Sequence, residues 1–268
     1  MDVTSEIRQF YDSTVEAEWG RIDNKPEFLI TKRFMDRYIK AGDSVLDIGG
    51  GPGRYSLDLA GKGCDVTLFD LSPGNIEFAT AKANELGLDI KAAVGDARHV
   101  DEVIDGLFDH VLIMGPLYHI LDEPGRVQAV NAALKLLKPG GTLFVSFISV
   151  FSGIIFIMRD APEVILSDEQ SELDYYRAVL SDGSYAGPAF TQAFLANKNE
   201  ILPFMAQFPL DKLHLFGQEG ILAPCRDKIM LSEQPVVDAW LDFAEQLAER
   251  EDLLNYAEHL MYVGRKNA

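Results

Sequence analysis

The chain has 268 residues and a mass of 29.7 kDa, a length that suits one α/β domain carrying an insertion or a small cap. Apolar residues make up 47% and charged residues 25% of the sequence, which excludes disordered, collagen-like and coiled-coil chains. The net charge of −18 leaves no basic stripe for phosphate groups, so we expect no nucleic-acid partner and no attraction to anionic lipids.

Two helices are predicted before residue 40, over about 4–18 and 26–39. From residue 44 onward, short β-type runs alternate with helical stretches. The predicted strands cover 44–48, 65–69, 88–94, 108–114 and 142–148. The predicted helices between them cover 53–62, 73–86 and 124–137. Strands that alternate with helices indicate parallel βαβ units, and right-handed crossovers arrange such units as a doubly wound sheet.

The pattern becomes irregular after the fifth predicted strand. Residues 151–206 are predicted to be mainly helical and are rich in aromatic side chains. A sixth strand is predicted over 210–217, a helix over 235–250 and a last strand over 259–264. The stretch 139–158 contains no charge but is interrupted by glycine and serine, so we predict a buried strand that continues into an apolar wall rather than a membrane span.

A glycine-rich loop between the first predicted strand and the next helix carries the strongest local signal. Its sequence, DIGGGPG over 47–53, lets the backbone turn sharply and approach a ligand closely. A dinucleotide-binding loop needs a third glycine at position 54 or 56, where this chain has Arg54 and Ser56. The dinucleotide pattern therefore fails in both registers.

The spacing D-x-G-x-G-x-G over 47–53 resembles the first motif of the class I S-adenosylmethionine-dependent methyltransferases. Further signals follow in that family's order, and they are Asp70 closing the second strand, Gly95-Asp96-Ala97 after the third, Phe108-Asp109 opening the fourth and LLKPGG over 136–141 before the fifth. The resemblance covers about residues 41–150. Segments such as FYDSTVEAEWGRID and AEHLMYVGRK are also similar to a bacterial subgroup of this family whose substrates are poorly assigned.

The resemblance implies an α/β fold with a doubly wound, seven-stranded, Rossmann-like methyltransferase sheet whose last strand is antiparallel. Helices precede this sheet, and a helical insertion follows strand five. We expect one methyltransferase domain with an N-terminal helical lid (1–40), a cofactor-binding core (41–150), a helical and aromatic cap (151–206) and a C-terminal part that completes the sheet (207–268).

The resemblance also implies S-adenosyl-L-methionine as the cofactor and S-adenosyl-L-homocysteine as its product. Asp47 is expected near the amino group of the methionine portion, Asp70 on the ribose hydroxyls, and Asp96 beside the adenine. Each of these aspartates has a plainer alternative as a helix-capping or turn residue. The full set of implied cofactor-binding residues is Asp47, Gly49, Gly51, Gly53, Asp70, Leu71, Asp96, Ala97, Met114 and Tyr11.

The segment that follows the fourth predicted strand contains two candidate catalytic residues, because ligands bind at the carboxyl ends of strands in open α/β sheets. His119 is a candidate general base for a hydroxyl or an amine, and Tyr118 precedes it. The alternative is a histidine that hydrogen-bonds the backbone and packs at a helix start. No pair of histidines or cysteines has metal-ligand spacing on one element, so we expect no metal.

These features predict methyl transfer to a small, partly apolar metabolite by in-line displacement, with catalysis mainly by positioning. Aromatic residues of the cap, such as Phe156 and Tyr176, are expected to line the acceptor pocket. A protein or peptide methyltransferase and a non-catalytic protein that binds S-adenosylmethionine remain alternatives. Two cysteines and the absence of a signal-peptide pattern indicate a cytoplasmic setting, and no stable membrane insertion is expected.

Overall fold

Five parallel strands form the first part of the sheet in the computed structural model, which describes residues 2–268. They are β1 (Ser44–Ile48), β2 (Asp65–Asp70), β3 (Lys91–Val94), β4 (Phe108–Ile113) and β5 (Leu137–Ser149). Their order in the sheet is β3-β2-β1-β4-β5, so the chain reverses its direction of winding between β1 and β4. The doubly wound arrangement predicted from the alternation of strands and helices is confirmed.

Four further strands complete a nine-stranded sheet within the described residues. They are β6 (Tyr185–Pro188), β7 (Gln192–Ala196), β8 (Leu210–Gly217) and β9 (His259–Lys266). The last strand, β9, is antiparallel to both β5 and β8, as expected for this fold. β1 to β5 together with β8 and β9 are the seven predicted strands, and their predicted arrangement is confirmed.

Residues 151–206 are mainly helical, as predicted, but they also contain the β6–β7 hairpin, which was not predicted. β7 pairs with the last two residues of β5, Ile148 and Ser149, beyond the point where β4 ends. The hairpin forms because Tyr185 and Leu195 bury their side chains in a small apolar cluster with Ile148. Strands of four and five residues carry too little periodicity to be recognised in the sequence alone.

Ten α-helices surround the sheet within residues 2–268. They are α1 (Val3–Arg21), α2 (Pro26–Met35), α3 (Arg54–Gly61), α4 (Pro73–Leu86), α5 (Glu123–Leu136), α6 (Ser152–Asp160), α7 (Gln170–Leu180), α8 (Lys198–Met205), α9 (Arg226–Met230) and α10 (Gln234–Leu247). Side-chain caps fix several starts: Ser72 accepts a hydrogen bond from the backbone N–H of Asn75, and Asp122 accepts one from that of Gly125. Such local signals explain why α4 begins and ends where the sequence predicts.

The uncharged stretch 139–158 forms most of β5 and the start of α6. β5 is buried from Leu143 to Ser149, so the predicted buried strand is confirmed, although it begins five residues earlier than expected. A register shift between Phe108 and His110 of β4 accommodates this early start. No helix described in residues 2–268 combines the length and the apolar character needed to cross a membrane.

Candidate active site

A cavity of about 270 Å³ lies where the carboxyl ends of β1, β2 and β4 meet, and α1 forms one of its walls. The predicted site residues that line it are Tyr11, Asp47, Gly49, Gly51, Asp70, Leu71, Asp96, Ala97, Met114, Tyr118 and His119. Gly53 lies outside this lining. It precedes α3 with a φ of +85°, and a Cβ there would stand 3.0 Å from the Cβ of Ala79 on α4. The structure thus brings the predicted residues together, and Gly53 serves the packing of the loop against a helix.

The glycine loop needs glycine at Gly49 for two reasons. Its φ is +71°, and a Cβ would stand 2.4 Å from Cδ of Pro116. Gly51 also has a positive φ, +57°, but the nearest described atom to a Cβ there is Nδ2 of Asn75, at 3.9 Å. Gly51 therefore borders open space on the cavity side, where a ligand can approach the backbone closely.

Asp47 is fully buried at the base of this loop. One carboxylate oxygen, Oδ2, accepts a hydrogen bond of 2.7 Å from the hydroxyl of Ser56. The other, Oδ1, is buried and has no hydrogen-bond partner among the described residues. Burial raises the pKa of Asp47 to about 7, against the opposing effect of Ser56. An unpartnered buried carboxylate oxygen in a cavity wall suits a cationic or N–H-bearing ligand group.

Asp70 braces the glycine loop from the end of β2. Its carboxylate accepts hydrogen bonds from the backbone N–H of Gly51 at 2.8 Å, from that of Ser72 at 2.9 Å and from Nδ2 of Asn75 at 3.1 Å. Burial nevertheless raises the pKa of Asp70 above its ordinary value. The alternative role considered for Asp70 was that of a helix cap, but the N-cap of α4 is Ser72. The structural role that Asp70 does have is to support the glycine loop.

Asp96 is both a helix-capping residue and part of the cavity wall. Its Oδ1 caps a short 3₁₀ helix, Ala97–Glu102, by accepting from the backbone N–H of Arg98 at 2.9 Å, and it also lines the cavity. Burial opposes ionisation, but hydrogen bonds from Arg98 keep the pKa of Asp96 below its usual range. Arg98 also donates to the hydroxyl of Thr4 on α1 at 3.1 Å, which ties this end of the cavity to the N-terminal helix.

His119 has partners at both ring nitrogens. Nδ1 lies 3.2 Å from the carbonyl oxygen of Gln192 on β7, and Nε2 lies 2.6 Å from the hydroxyl oxygen of Tyr11 on α1. Burial lowers the pKa of His119 to about 4, with a small opposing effect of the Gln192 bond, so the ring is neutral at pH 7. This geometry favours the alternative of a histidine that bonds the backbone. Neither nitrogen is free to take a proton from an acceptor directly.

Tyr118 lines the cavity beside His119, and its ring packs edge-on against the imidazole at 4.8 Å. Its hydroxyl donates to the carbonyl oxygen of Met114 at 3.2 Å. Burial raises the pKa of Tyr118 well above its ordinary value, so the phenol stays neutral at physiological pH. The bond fixes Tyr118 against the end of β4 and orients the ring that faces the cavity.

The sequence analysis missed a polar end of the cavity formed by residues distant in the chain. They are Glu18, Arg21, Glu27, Arg54, Tyr55 and Gln218. Arg21 donates to Glu18 at 2.9 Å and to Glu27 at 3.0 Å. The hydroxyl of Tyr55 and Nε of Arg54 are buried and find no partner in the described part of the chain. Arg54 directly follows the glycine loop, and Glu18 and Arg21 lie in the segment FYDSTVEAEWGRID, but no sequence pattern placed these residues at one end of a cavity.

Next to this polar end, the carboxylate oxygens of Glu27 and Glu219 and a ring nitrogen of His259 lie within 4.8 Å of one another. Nδ1 of His259 stands 2.6 Å from Oε1 of Glu219 and 3.9 Å from Oε2 of Glu27. Burial alone would lower the pKa of His259, but the two carboxylates raise it to about 9. A proton on His259 therefore balances these carboxylates at neutral pH, and Arg21 adds a further positive charge beside Glu27.

The cap does not line this cavity, and its role in an acceptor pocket stays a prediction. The cavity lining passes from Asp122 to Gln218 without any described residue of 151–206. Phe156 is half exposed, and the hydroxyl of Tyr176 bonds the carbonyl of Val164 within the cap itself. The cap instead packs behind two lining residues: Gln192 and Phe190 contact His119, and Tyr185 and Leu195 share a buried apolar cluster with Tyr118.

Comparison with known proteins matches residues 45–141 to a family described as a methyltransferase domain. A ubiquinone biosynthesis O-methyltransferase of Caulobacter vibrioides is 40% identical over 125 residues, which cover 47% of this chain and 48% of that protein. The chain thus spans about half the length of this curated relative.

Solved structures resemble the chain over almost its whole length. Magnesium protoporphyrin IX methyltransferase from Synechocystis, crystallised with S-adenosyl-L-homocysteine, has a TM-score of 0.60 at 13% identity and covers 99% of this chain and 100% of its own. The [4+2]-cyclase SpnF has a TM-score of 0.54 at 18% identity and covers 90% of this chain and 80% of its own. At such identities the likeness concerns the fold. Residues 45–141, which contain the glycine loop, are thus similar to methyltransferase domains, and the chain as a whole shares the fold of these solved methyltransferase structures.

Proposed function

We propose that this protein transfers the methyl group of S-adenosyl-L-methionine to a small molecule. The observation that carries the proposal is the cavity beside the glycine loop, in which a buried oxygen of Asp47 lacks a partner among residues 2–268. Asp70 lines the same cavity at the end of the neighbouring strand. Two carboxylates at this spacing in the fold suit a ligand that carries an ammonium group and a vicinal diol.

The residues fit the adenosyl cofactor along the length of the cavity. Oδ1 of Asp47 would accept from the ammonium group, and the Asp70 carboxylate would accept from the ribose hydroxyls. Asn75 supports the second assignment, because its buried Oδ1 lacks a partner in the described chain while its Nδ2 bonds Asp70. Ala97 and Asp96 would flank the adenine. Arg54, with its unpartnered Nε, would meet the carboxylate of the methionine portion.

When bound, the cofactor supplies an electrophilic methyl group on a positively charged sulfur. The chain's contribution is to hold the two reactants in line and to keep water out of the cavity. α1 performs the second task, since Ile7, Tyr11 and Arg21 form part of the cavity wall. We include in the proposal that residues 1–40 act as a lid on a core formed by 41–150.

Proton removal from the acceptor is not assigned to His119 acting alone, because both of its nitrogens are engaged. Tyr118 is an equally poor proton acceptor, since its neutral phenol already donates to Met114. Positioning by the cavity wall is therefore the main source of rate enhancement in this proposal. A base is optional for acceptors whose own proton leaves readily.

Two findings support a small-molecule acceptor. The relative from Caulobacter vibrioides is named as an O-methyltransferase of ubiquinone biosynthesis, although the match covers only part of each chain. In addition, side chains of α1, among them Ile7, Tyr11 and Arg21, form one wall of the cavity, which suits a compact ligand. The strongly acidic chain, with a net charge of −18, disfavours nucleic acid as the acceptor.

Isotopic labelling tests the proposal. The purified protein is incubated with S-adenosylmethionine labelled in its methyl group, together with the small-molecule fraction or the protein fraction of a bacterial extract. We expect label in the small-molecule fraction, and none with the Asp47→Asn variant. Label confined to protein would replace the proposal with peptide methylation. Ligand binding without any transfer would indicate a non-catalytic protein or another chemistry, as the fold of a [4+2]-cyclase illustrates.

A further inference from the structure

We propose that the hydroxyl of Tyr11 donates its hydrogen to His119 and presents only its oxygen lone pairs to the middle of the cavity. The site would then prefer the positively charged sulfonium of the methyl donor over the neutral thioether of the product. This inference rests on the proposed function, because it concerns the same cofactor. Tyr11 would then distinguish the methyl-donor form of the cofactor from its product form. The hydrogen bond to His119 would fix the orientation of the Tyr11 hydroxyl on which this preference depends.

The position of the hydrogens follows from the partners of His119. A backbone carbonyl can only accept, so the ring nitrogen that faces Gln192 at 3.2 Å must carry the hydrogen. A neutral imidazole has one N–H, so Nε2 has a free lone pair. The hydroxyl of Tyr11, 2.6 Å from Nε2, must therefore donate its hydrogen to the ring. The Tyr11 oxygen retains only lone pairs for anything else that approaches it.

The hairpin of the cap fixes this arrangement. Gln192 belongs to β7, whose partner strand in the core is β5, so the carbonyl that orients His119 is anchored to the sheet. Phe190, in the turn of the hairpin, packs edge-on against His119 at 5.6 Å and near Phe10 at 6.2 Å. The imidazole is thereby enclosed on the side away from the cavity, and its tautomer does not depend on a mobile group.

Tyr11 stands at the middle of the cavity because α1 runs along it. Near its start, Thr4 contacts Arg98 beside the expected adenine position, and at its end Arg21 contacts Glu27 at the polar end. With a rise of about 1.5 Å per residue, Tyr11 lies about 10 Å from Thr4 along the helix, and a kink at Thr14 separates it from Arg21. In the cofactor, the sulfur lies between the adenosine and the amino acid portion. Tyr11, which lines the cavity between these two ends, would therefore present its hydroxyl oxygen toward the sulfur of a bound cofactor.

The chemical consequence is electrostatic. An oxygen that has donated its hydrogen to a buried nitrogen is polarised toward a larger negative charge, and in a cavity with little water this charge acts at close range. It stabilises a sulfonium and is nearly indifferent to a thioether. The product would accordingly bind with less advantage than the methyl donor, which favours its release after transfer.

Calorimetric titration of the whole protein with three ligands tests this proposal. The ligands are S-adenosylmethionine, S-adenosylhomocysteine and the amine analogue sinefungin, which carries a cation without a sulfur. For Tyr11→Phe we expect the Kd of both cationic ligands to rise about three- to tenfold, with the Kd of S-adenosylhomocysteine changed less than twofold. His119→Leu, which frees the Tyr11 hydrogen to turn into the cavity, is expected to act in the same direction.

Tyr38 offers a matched control, because its hydroxyl bonds Nε2 of His214 at 2.5 Å outside the described cavity lining. Tyr38→Phe removes the same kind of bond and should leave all three Kd values unchanged. Equal weakening of all three ligands by Tyr11→Phe would overturn the inference and reduce Tyr11 to a packing contact. Failure of the unmodified protein to bind any of the three would overturn the proposed function as well.

Discussion

The edge of the sheet around the glycine loop and the cap over 151–206 are both built on the carboxyl side of the strands, yet they differ in how they are held. At the loop, a few short-range bonds fix each group: Asp70 bonds Gly51, and Ser72 caps the helix that follows. The cap is held by apolar contacts and by a hairpin that pairs with two residues of β5. The glycine loop therefore leaves residue-specific signals in the sequence, whereas the structure of the cap depends on contacts between residues far apart in the chain.

The largest effect is expected from Gly49→Ala in the loop. The new Cβ would stand 2.4 Å from Pro116 at a φ of +71°, so we expect the free energy of unfolding to fall by about 2–5 kcal/mol and ligand binding to be lost. Chemical denaturation and calorimetry measure the two effects. Gly61→Ala in α3, where the added Cβ meets no atom within 4 Å beyond its neighbours and its own helix backbone, is the matched control and should lower neither stability nor affinity. A stable Gly49→Ala protein that binds normally would refute the role given to the loop.

The second largest effect is expected in the pH dependence of stability, and it comes from His259 and the buried carboxylates beside it. Because the folded-state pKa of His259 is raised from 6.5 to about 9, its contribution of about 3 kcal/mol is fully present below pH 6.5 and is lost as the pH rises through about 9. Unfolding curves at pH 6.5 and pH 9 measure this loss. His259→Gln should be less stable at pH 6.5 and should flatten the dependence, while the exposed surface variant His99→Gln should leave it unchanged. Parallel curves for the two variants would contradict the assignment of the proton.

Asp47 should make the binding of S-adenosylmethionine depend on pH. Its pKa of about 7 means that the carboxylate needed for the ammonium group is partly protonated below neutrality, so affinity rises as the pH increases from 6 to 8. We expect the Kd to fall about tenfold over this interval, roughly 1.4 kcal/mol. Titrations at both values measure it. Asp47→Asn should bind weakly and without this dependence, and an unchanged slope in that variant would assign the titration to another group.

The smallest effects are expected in the cap. Phe156→Ala and Tyr176→Phe should change the Kd of S-adenosylmethionine less than twofold, because neither side chain lines the cavity. A loss of affinity of fivefold or more from either substitution would show that the cap closes onto the site in solution. It would also restore the aromatic acceptor pocket expected from the sequence.

Much of the fold could be predicted because its signals are local. Residues 73–86 begin at a serine cap with proline and end before Gly87, whose φ is +66°, and the predicted and observed helices coincide. The strand predicted over 210–217 also coincides with the observed one. The β6–β7 hairpin was not predicted for two reasons. β6 has only four residues, and β7 pairs with β5, which lies more than forty residues earlier in the chain.

The candidate site divides in the same way. The aspartates at strand ends were predictable from position, since parallel strands bring their carboxyl ends to one edge of the sheet. The pairing of Tyr11 with His119 was not, because the two residues are 108 positions apart and no local pattern couples them. The same holds for Glu27 and His259, which face each other only after α2 packs beside β9. Sequence reasoning therefore identified the cofactor class but not the environment of the one histidine it favoured.

Calorimetric titration with S-adenosylmethionine, with NAD as a control ligand, tests the central claim most directly when it is repeated on Asp70→Ala. Loss of hydrogen bonds to a charged acceptor should weaken binding by about 1.5–3 kcal/mol, at least tenfold in Kd. We expect binding of S-adenosylmethionine, none of NAD, and this weakening in the variant. Tight binding of NAD, or binding of S-adenosylmethionine that is indifferent to Asp70, would contradict it.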